Sequence, residues 1–187
     1  MSTTVESASA VATARALRKL YFVRFGFAIV WAALLFVVGG SLGPVAIGLL
    51  VLYPLFDVAA AVTDLRSSKA ARPTVGLYFN MALSLATAIG LGVAVTSGIP
   101  AVLRVWGVWA ITAGLVQLIV AIRRYRLGGQ WAMILSGGIS VFAGTGFFMM
   151  AGGPNAALTS LAGYATLGGI FFLVSALRLG RVIKKES

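Results

Sequence analysis

The chain has 187 residues, of which 60% are hydrophobic and 10% are charged, and its formal net charge is +11. About a quarter of the residues in a soluble domain are charged, so this supply is too small to cover a water-exposed surface, and an ordinary soluble protein is excluded. The sequence has neither Cys nor His, which excludes disulfides, thiolate chemistry, imidazole catalysis and most zinc or iron sites. We therefore expect no metal, no cofactor and no catalysis.

Long stretches without a charged residue separate short charged clusters. Asp, Glu, Lys and Arg are absent between Arg24 and Asp57, between Arg72 and Arg104, between Arg104 and Arg123, and between Arg126 and Arg178. A spanning helix needs about 20 apolar residues, so the stretches predict an all-α, polytopic membrane protein with six transmembrane helices, arranged as three helical hairpins. The predicted spans are 21–40, 44–63, 75–95, 101–122, 130–150 and 157–177.

Two polar segments flank the predicted spans. Residues 1–19 are rich in Ala and Ser, and we expect a cytoplasmic polar tail that is partly disordered. The apolar stretch that follows is too long for a signal peptide and has no small-x-small cleavage site, so it is predicted to stay as the first helix. The six-helix transmembrane domain is predicted over 20–178, followed by a basic cytoplasmic tail over 179–187.

The basic residues are distributed unevenly between the two predicted sides. Thirteen of the 15 Lys and Arg residues fall in the tails and in loops 64–74 and 123–129, against Arg104 on the other side and Arg24 inside a span. Basic loops stay in the cytoplasm, so both termini are predicted to be cytoplasmic, in the plasma (inner) membrane. These clusters either bind anionic lipid headgroups or serve topology alone, and their place at helix ends argues against nucleic-acid binding. An interfacial aromatic belt is predicted from Tyr21, Tyr78, Tyr125 and Trp131, with Trp106 and Tyr164 on the other side.

The three predicted hairpins resemble one another. When their basic ends are aligned, Pro54 falls in register with Gly114 and Gly169. Asp57 then falls in register with Gln117 and Phe172. This register indicates a threefold internal repeat.

Asp57 is the acidic residue that lies inside a predicted span. A carboxylate there costs roughly 2.5–3.5 kcal/mol on insertion scales and normally faces protein or water. Pro54 removes the backbone hydrogen bond to the carbonyl of Leu50 and is expected to kink the helix. By helical rise, Arg24 lies roughly 4–5 Å and Asp57 roughly 9 Å inside the cytoplasmic boundary, which predicts an ion pair. The acidic residue beside this expected kink is either a proton or small-solute site or a packing feature.

Other polar residues fall at a similar depth by helical rise. Together with Arg24 and Asp57, the candidate polar layer comprises Asn80, Gln117 and Ser136, so that five helices each contribute one side chain. These residues either converge as a buried network, line a cytoplasm-facing vestibule, or are unrelated.

Small residues recur at four-residue spacing on the third and fifth predicted helices. They are Ser84, Ala88 and Gly92 on the third, and Ser136, Ser140 and Gly144 on the fifth. Membrane helices associate where small residues let backbones approach closely. We therefore predict that these faces serve internal packing or self-association, with a pore lining as the alternative.

The second and third hairpins share a pattern of glycines, tryptophans and closing arginines. Its residues are Trp106-Gly107, Ala113-Gly114-Leu115-Val116-Gln117, Arg123-Arg124, Leu127-Gly128-Gly129-Gln130-Trp131, Ser136-Gly137-Gly138-Ile139-Ser140, Gly144, Gly168-Gly169, Ser175 and Arg178. In this pattern the chain resembles the HdeD-like acid-resistance membrane proteins, a six-helix family of undefined biochemical role. The resemblance covers 105–181, is only topological over 20–104, and implies a link to acid or envelope stress in bacteria. The first hairpin departs from it, with Tyr53-Pro54-Leu55-Phe56-Asp57 in place of the Trp-Gly pair.

Two functional hypotheses follow. The first is a non-catalytic envelope or stress-response membrane protein that acts through assembly, as a homo-oligomer or with a membrane-protein partner. The alternative is a small transporter or channel that moves protons or a small solute past Asp57. A wet cavity at Asp57 would favour transport, whereas a dry, closed core would favour assembly.

Overall fold

The computed structural model describes residues 2–67, 74–123 and 131–185, and these residues form six α-helices. The helices are α1 (Ser2–Val38), α2 (Pro44–Ser67), α3 (Thr74–Ala94), α4 (Ile99–Arg123), α5 (Trp131–Ala151) and α6 (Thr159–Lys185). Each is long and apolar enough to cross a membrane, which confirms the predicted all-α architecture with six spans. The predicted belt residue Tyr125 and the segment 127–130 lie outside the described residues.

Proline and glycine shape the turn that joins α1 to α2 and the turn that joins α3 to α4. Pro44 is the first residue of α2 and Pro100 the second residue of α4, where a missing backbone N–H costs little. The 3₁₀ turn Val95–Ser97 ends at Gly98, whose φ of +88° is a left-handed conformation that favours glycine. These turns reverse the chain within a few residues, so α1 and α2 lie side by side, as do α3 and α4.

The polar segments at both ends lie within helices. Helix α1 begins at Ser2 and so includes most of the segment for which partial disorder is predicted. The physical reason is that this segment is rich in Ala, the best helix former, and has neither Gly nor Pro to interrupt the helix. Helix α6 likewise continues to Lys185, through most of the predicted basic tail.

The six helices form a closed ring in chain order, because each packs against the next and α1 packs against α6. The closest pairs are α2 with α3, α4 with α5, and α6 with α1. The closest packing is therefore between successive predicted hairpins and not within each hairpin. Close and looser contacts alternate around the ring, as a cyclic threefold repeat requires. Two glycines placed in register by that repeat both lie at such contacts: Gly114 against Gly137 on α5, and Gly169 against Ala28 on α1.

Helices α4 and α5 touch through their backbones. A Cβ added to Gly107 would lie 2.8 Å from the carbonyl oxygen of Gly144, and one added to Gly114 would lie 2.7 Å from that of Gly137. On each helix the two contacts are separated by about two turns, so both fall on the same face. Only glycine permits this approach, which is the packing mode that small residues provide in membranes.

Large apolar side chains face outward as well as inward. Phe142 is 84% exposed and Val37 81% exposed on the outside of the ring, as expected for side chains that contact lipid. The interior is filled by fully buried Trp31, Leu50 and Trp106 together with other residues of the same cluster. We call the end of the ring where α1 begins and α6 ends the terminal end.

Candidate functional site

The site is built around an ion pair between Arg24 on α1 and Asp57 on α2. Arg24 lies almost as far before the end of α1 at Val38 as Asp57 lies after the start of α2 at Pro44. At about 1.5 Å of rise per residue, both lie about 20 Å from the turn that joins the helices. The short turn therefore places the two charges at one height, and the predicted ion pair is present.

The second oxygen of the Asp57 carboxylate is held by α3. Its Oδ2 accepts hydrogen bonds from Asn80 Nδ2 at 2.7 Å and from Ser84 Oγ at 2.8 Å, while its Oδ1 faces Arg24. Asn80 and Ser84 are four positions apart, which puts both side chains on one face of α3. A single carboxylate on α2 thus connects that helix to both α1 and α3.

Ser84 carries the network to α4. It is fully buried, and its hydroxyl oxygen accepts a hydrogen bond of 3.3 Å from the indole Nε1 of Trp109. The serine therefore donates to the acid and accepts from the indole, which uses its donor and one acceptor position. Buried polar groups arranged in this way avoid the cost of an unsatisfied donor or acceptor.

Arg24 also contacts α6. Its guanidinium carbon lies 4.6 Å from the centre of the Phe172 ring, a geometry in which a cation is attracted to the face of an aromatic ring. Because Arg24 reaches both neighbours of its own helix, α2 and α6, its side chain lies on the inner face of the ring. The Arg24 and Asp57 side chains retain 18% and 15% exposure, so the pair is not completely sealed.

An aromatic cluster closes the bundle beyond the ion pair, on the side away from the terminal end. Trp31 packs against Tyr53 at 4.6 Å and against Trp106 at 5.5 Å, and Trp109 packs against Trp106 at 5.4 Å between ring centres. Trp31 Nε1 donates a 2.6 Å hydrogen bond to the carbonyl of Leu49. Four large rings from α1, α2 and α4 therefore fill the interior next to the site.

Trp106 corrects one prediction. It was expected in the interfacial belt, but it is fully buried in the aromatic cluster, and its Nε1 has no hydrogen-bond partner within the described residues. The belt prediction also fails for Tyr164, whose hydroxyl lies 3.2 Å from Ser140 Oγ between α6 and α5. In contrast, Tyr78 and Trp131 are exposed at the terminal end, as predicted. Trp106 is buried because aromatic side chains of α1, α2 and α4 pack around it.

Arg24 and Asn80, two members of the predicted polar layer, both contact Asp57, a third member. Gln117 is half-buried on α4, two turns beyond Trp109, which places it about 12 Å from that residue toward the terminal end. Ser136 lies on α5, whose main neighbours are α4 and α6, so it stands on the other side of the ring. Depth was a poor guide for Ser136 because it does not specify which helices adjoin. For Gln117 the depth itself differs, because it lies farther from the start of α4 than Asp57 lies from the start of α2.

Four of the predicted packing residues lie inside the ring or at contacts between helices. Ser84 and Ala88 are buried, Ser140 is bonded to Tyr164, and Gly144 contacts the backbone of α4. Gly92 is the exception, because it is exposed and an added Cβ would meet nothing within 4 Å. The four-residue stripe on α3 rotates from the inside to the outside along the helix.

Pro54 is fully buried within a continuous α2. The kink expected at this proline stays a prediction.

Sequence reasoning did not identify Trp109 or assign Ser84 to the acid. The available signal was the spacing of Asn80 and Ser84, which offers two hydrogen-bonding side chains on one helical face to a buried carboxylate. The sequence around Trp109 did not indicate this role, because tryptophan is common in apolar helices. The partner of its N–H depends on how α4 is placed beside α3.

No protein-family model, curated protein or solved structure matches this chain. The resemblance to the HdeD-like family stays a sequence-level prediction. The six apolar helices within the described residues indicate an integral membrane protein.

Proposed function

We propose that this chain is a non-catalytic membrane protein that acts through assembly, with further copies of itself or with another membrane protein. The observation that carries the proposal is the binding of Asp57 by Arg24, Asn80 and Ser84, next to a filled aromatic core. A carboxylate held by three donors connects helices to one another, and it has little capacity left for a substrate. The resemblance to the HdeD-like family supports a role in acid or envelope stress.

The proposed location is the plasma (inner) membrane, with both termini in the cytoplasm. The strong bias of basic residues toward one set of loops and tails supports this orientation. The lipid-facing surface of such a protein is also the surface on which a second membrane protein would pack. Large exposed side chains such as Phe142 and Met149 on α5 belong to that surface.

Assembly can be tested on the full chain in its native membrane. A fluorescent protein fused after residue 187 allows chains per complex to be counted by single-molecule photobleaching. We expect either more than one chain per complex or co-migration with a second membrane protein on native gels. We also expect cells that lack the protein to survive acid challenge less well. Single chains that migrate alone, in cells whose survival is unchanged by the deletion, would contradict the proposal.

A second candidate function is proton or small-solute transport past Asp57, favoured by the 18% and 15% exposure that Arg24 and Asp57 retain. The test is proton flux into liposomes that contain the purified protein and an enclosed pH-sensitive dye. On the assembly proposal, wild type and Asp57→Asn should both leak no faster than empty liposomes, while an added ionophore collapses the gradient. A flux that wild type supports and Asp57→Asn abolishes would replace assembly by transport.

A further inference from the structure

A groove lies on α1 at the terminal end of the ring. It has a volume of about 440 Å³ and is lined by Arg15, Arg18, Lys19, Phe22 and Val23. These five residues define what we call the α1 groove. The three cations come first along the helix, and the two apolar residues follow within about one turn.

The charges lie where the membrane-spanning part of α1 begins. The apolar window of this helix runs from Arg15 to Val38, so the cations occupy its first turns. Phe22 and Val23 are 36% and 51% exposed and lie deeper in the span. The groove therefore offers positive charge at the membrane edge and exposed apolar surface just inside it.

Arg18 is held in place from two sides. Its guanidinium carbon lies 5.4 Å from the centre of the Phe22 ring. On the other side it lies against α6 at Gly180, where an added Cβ would be 3.0 Å from Arg18 Nε. The glycine therefore makes room for the arginine between α1 and α6.

Arg15, Arg18 and Lys19 all line the α1 groove. Three cations this close repel one another, and an anion between them would relieve that repulsion. An anion that also carries an apolar chain would cover Phe22 and Val23. A phospholipid with a negative headgroup has both properties, and the groove lies at the depth where such headgroups are found.

We propose that the α1 groove binds one anionic phospholipid, with its phosphodiester between Arg15, Arg18 and Lys19 and the start of an acyl chain along Phe22 and Val23. Arg18 is the positioning cation, and Gly180 is required because it admits the Arg18 side chain to the α1–α6 contact. This binding does not depend on the proposed assembly or on transport. It also differs from a general attraction of basic loops, since it assigns the lipid to one groove.

The test uses the full chain in detergent, with bound lipid counted by native mass spectrometry after addition of phosphatidylglycerol or phosphatidylcholine. We expect wild type to retain one phosphatidylglycerol in preference to phosphatidylcholine. Arg18→Gln should lower that retention about fivefold, the effect of removing one basic residue near an anionic surface. The matched control is Arg66→Gln, which removes an exposed arginine of α2 at the terminal end of the ring. Arg66 does not line the groove, so this variant should retain lipid as wild type does.

Gly180→Leu is the second variant, because it keeps every charge and adds bulk where Arg18 lies. We expect it to lose phosphatidylglycerol as Arg18→Gln does, with both variants melting within a few degrees of wild type in lipid-free detergent. Equal retention by Arg18→Gln and Arg66→Gln would overturn the proposal, as would full retention by Gly180→Leu or equal binding of phosphatidylcholine. Displacement of the lipid by millimolar inorganic phosphate would also overturn it, because the groove would then be a site for free phosphate.

Discussion

The guanidinium of Arg24 and the carboxylate of Asp57 form an ion pair between α1 and α2, at nearly equal distances from the turn that joins these helices. The pair is asymmetric. Asp57 also accepts hydrogen bonds from Asn80 and Ser84, whereas Arg24 has the face of Phe172 as its further contact. Loss of the acid and loss of the base should therefore have unequal effects.

Asp57→Asn should destabilise the protein by about 3–5 kcal/mol, because it leaves the Arg24 charge inside the ring without an opposite charge. Arg24→Gln should cost less, since Asp57 keeps two hydrogen-bond donors on α3. The measurement is unfolding in detergent, followed by intrinsic tryptophan fluorescence. Arg104→Gln, an exposed arginine at the opposite end, is the control and should unfold as wild type does.

The double variant Arg24→Gln with Asp57→Asn should recover part of the loss, because neither uncompensated charge remains. A double-mutant cycle measures this coupling directly. Simple additivity of the two single changes would contradict the view that the pair stabilises the ring. It would instead favour a protonatable Asp57 that faces water.

Ser84→Ala should destabilise the protein by about 1–3 kcal/mol, because it removes a donor from Asp57 and leaves the Trp109 N–H without an acceptor. The tryptophan emission should also shift in wavelength, because the Trp109 indole loses its hydrogen-bond acceptor. The matched control is Thr145→Ala on the outer face of α5, where the hydroxyl bonds only to the backbone of its own helix. Equal effects of the two changes would rule out a network role for Ser84.

Gly144→Leu should prevent the close contact of α4 and α5, because an added Cβ would lie 2.7 Å from the carbonyl oxygen of Gly107. We expect a loss of several degrees in melting temperature or failure to accumulate in the membrane. Gly92→Leu is the control, since its added side chain meets open space, and its melting temperature should equal that of wild type. If Gly92→Leu melts normally but lowers the number of chains per complex, α3 supplies a contact between copies.

Tyr164→Phe should remove the hydrogen bond to Ser140, which joins α5 to α6, the least closely packed neighbours in the ring. A net hydrogen bond contributes about 1 kcal/mol, so a small fall in unfolding free energy is expected. Ser140→Ala should have a similar effect, and the two together should cost no more than either alone. Additive losses would show that each hydroxyl has a different partner.

Reporter fusions after residue 185 and within 152–156 should give opposite signals, with the first in the cytoplasm. The reason is the bias of basic residues toward the predicted cytoplasmic loops and tails. An alkaline phosphatase and a fluorescent protein report the two sides. Equal signals from the two positions would contradict the six-span topology.

The sequence alone determined the number of spans and their approximate limits. Charge-free stretches of this length have no other stable environment than lipid, and each backbone in lipid must close its hydrogen bonds within a helix. The ion pair was predictable for a similar reason: a short turn fixes the relative height of Arg24 and Asp57. Local rules of this kind depend on rise per residue and on neighbours in the chain.

The tertiary structure decided which helices adjoin and which way each face points. Apolar helices in lipid lack a hydrophobic stripe that marks the inside, so Gly92 and Gly144 look alike in sequence although one is exposed and the other touches a backbone. Depth grouped Asn80, Gln117 and Ser136 with Asp57, whereas the structure places Asn80 and Ser84 beside the carboxylate. The partners of Trp106 and Trp109 were likewise set by the contact of α4 with α1, α2 and α3, because residues distant in the chain meet only when the helices pack.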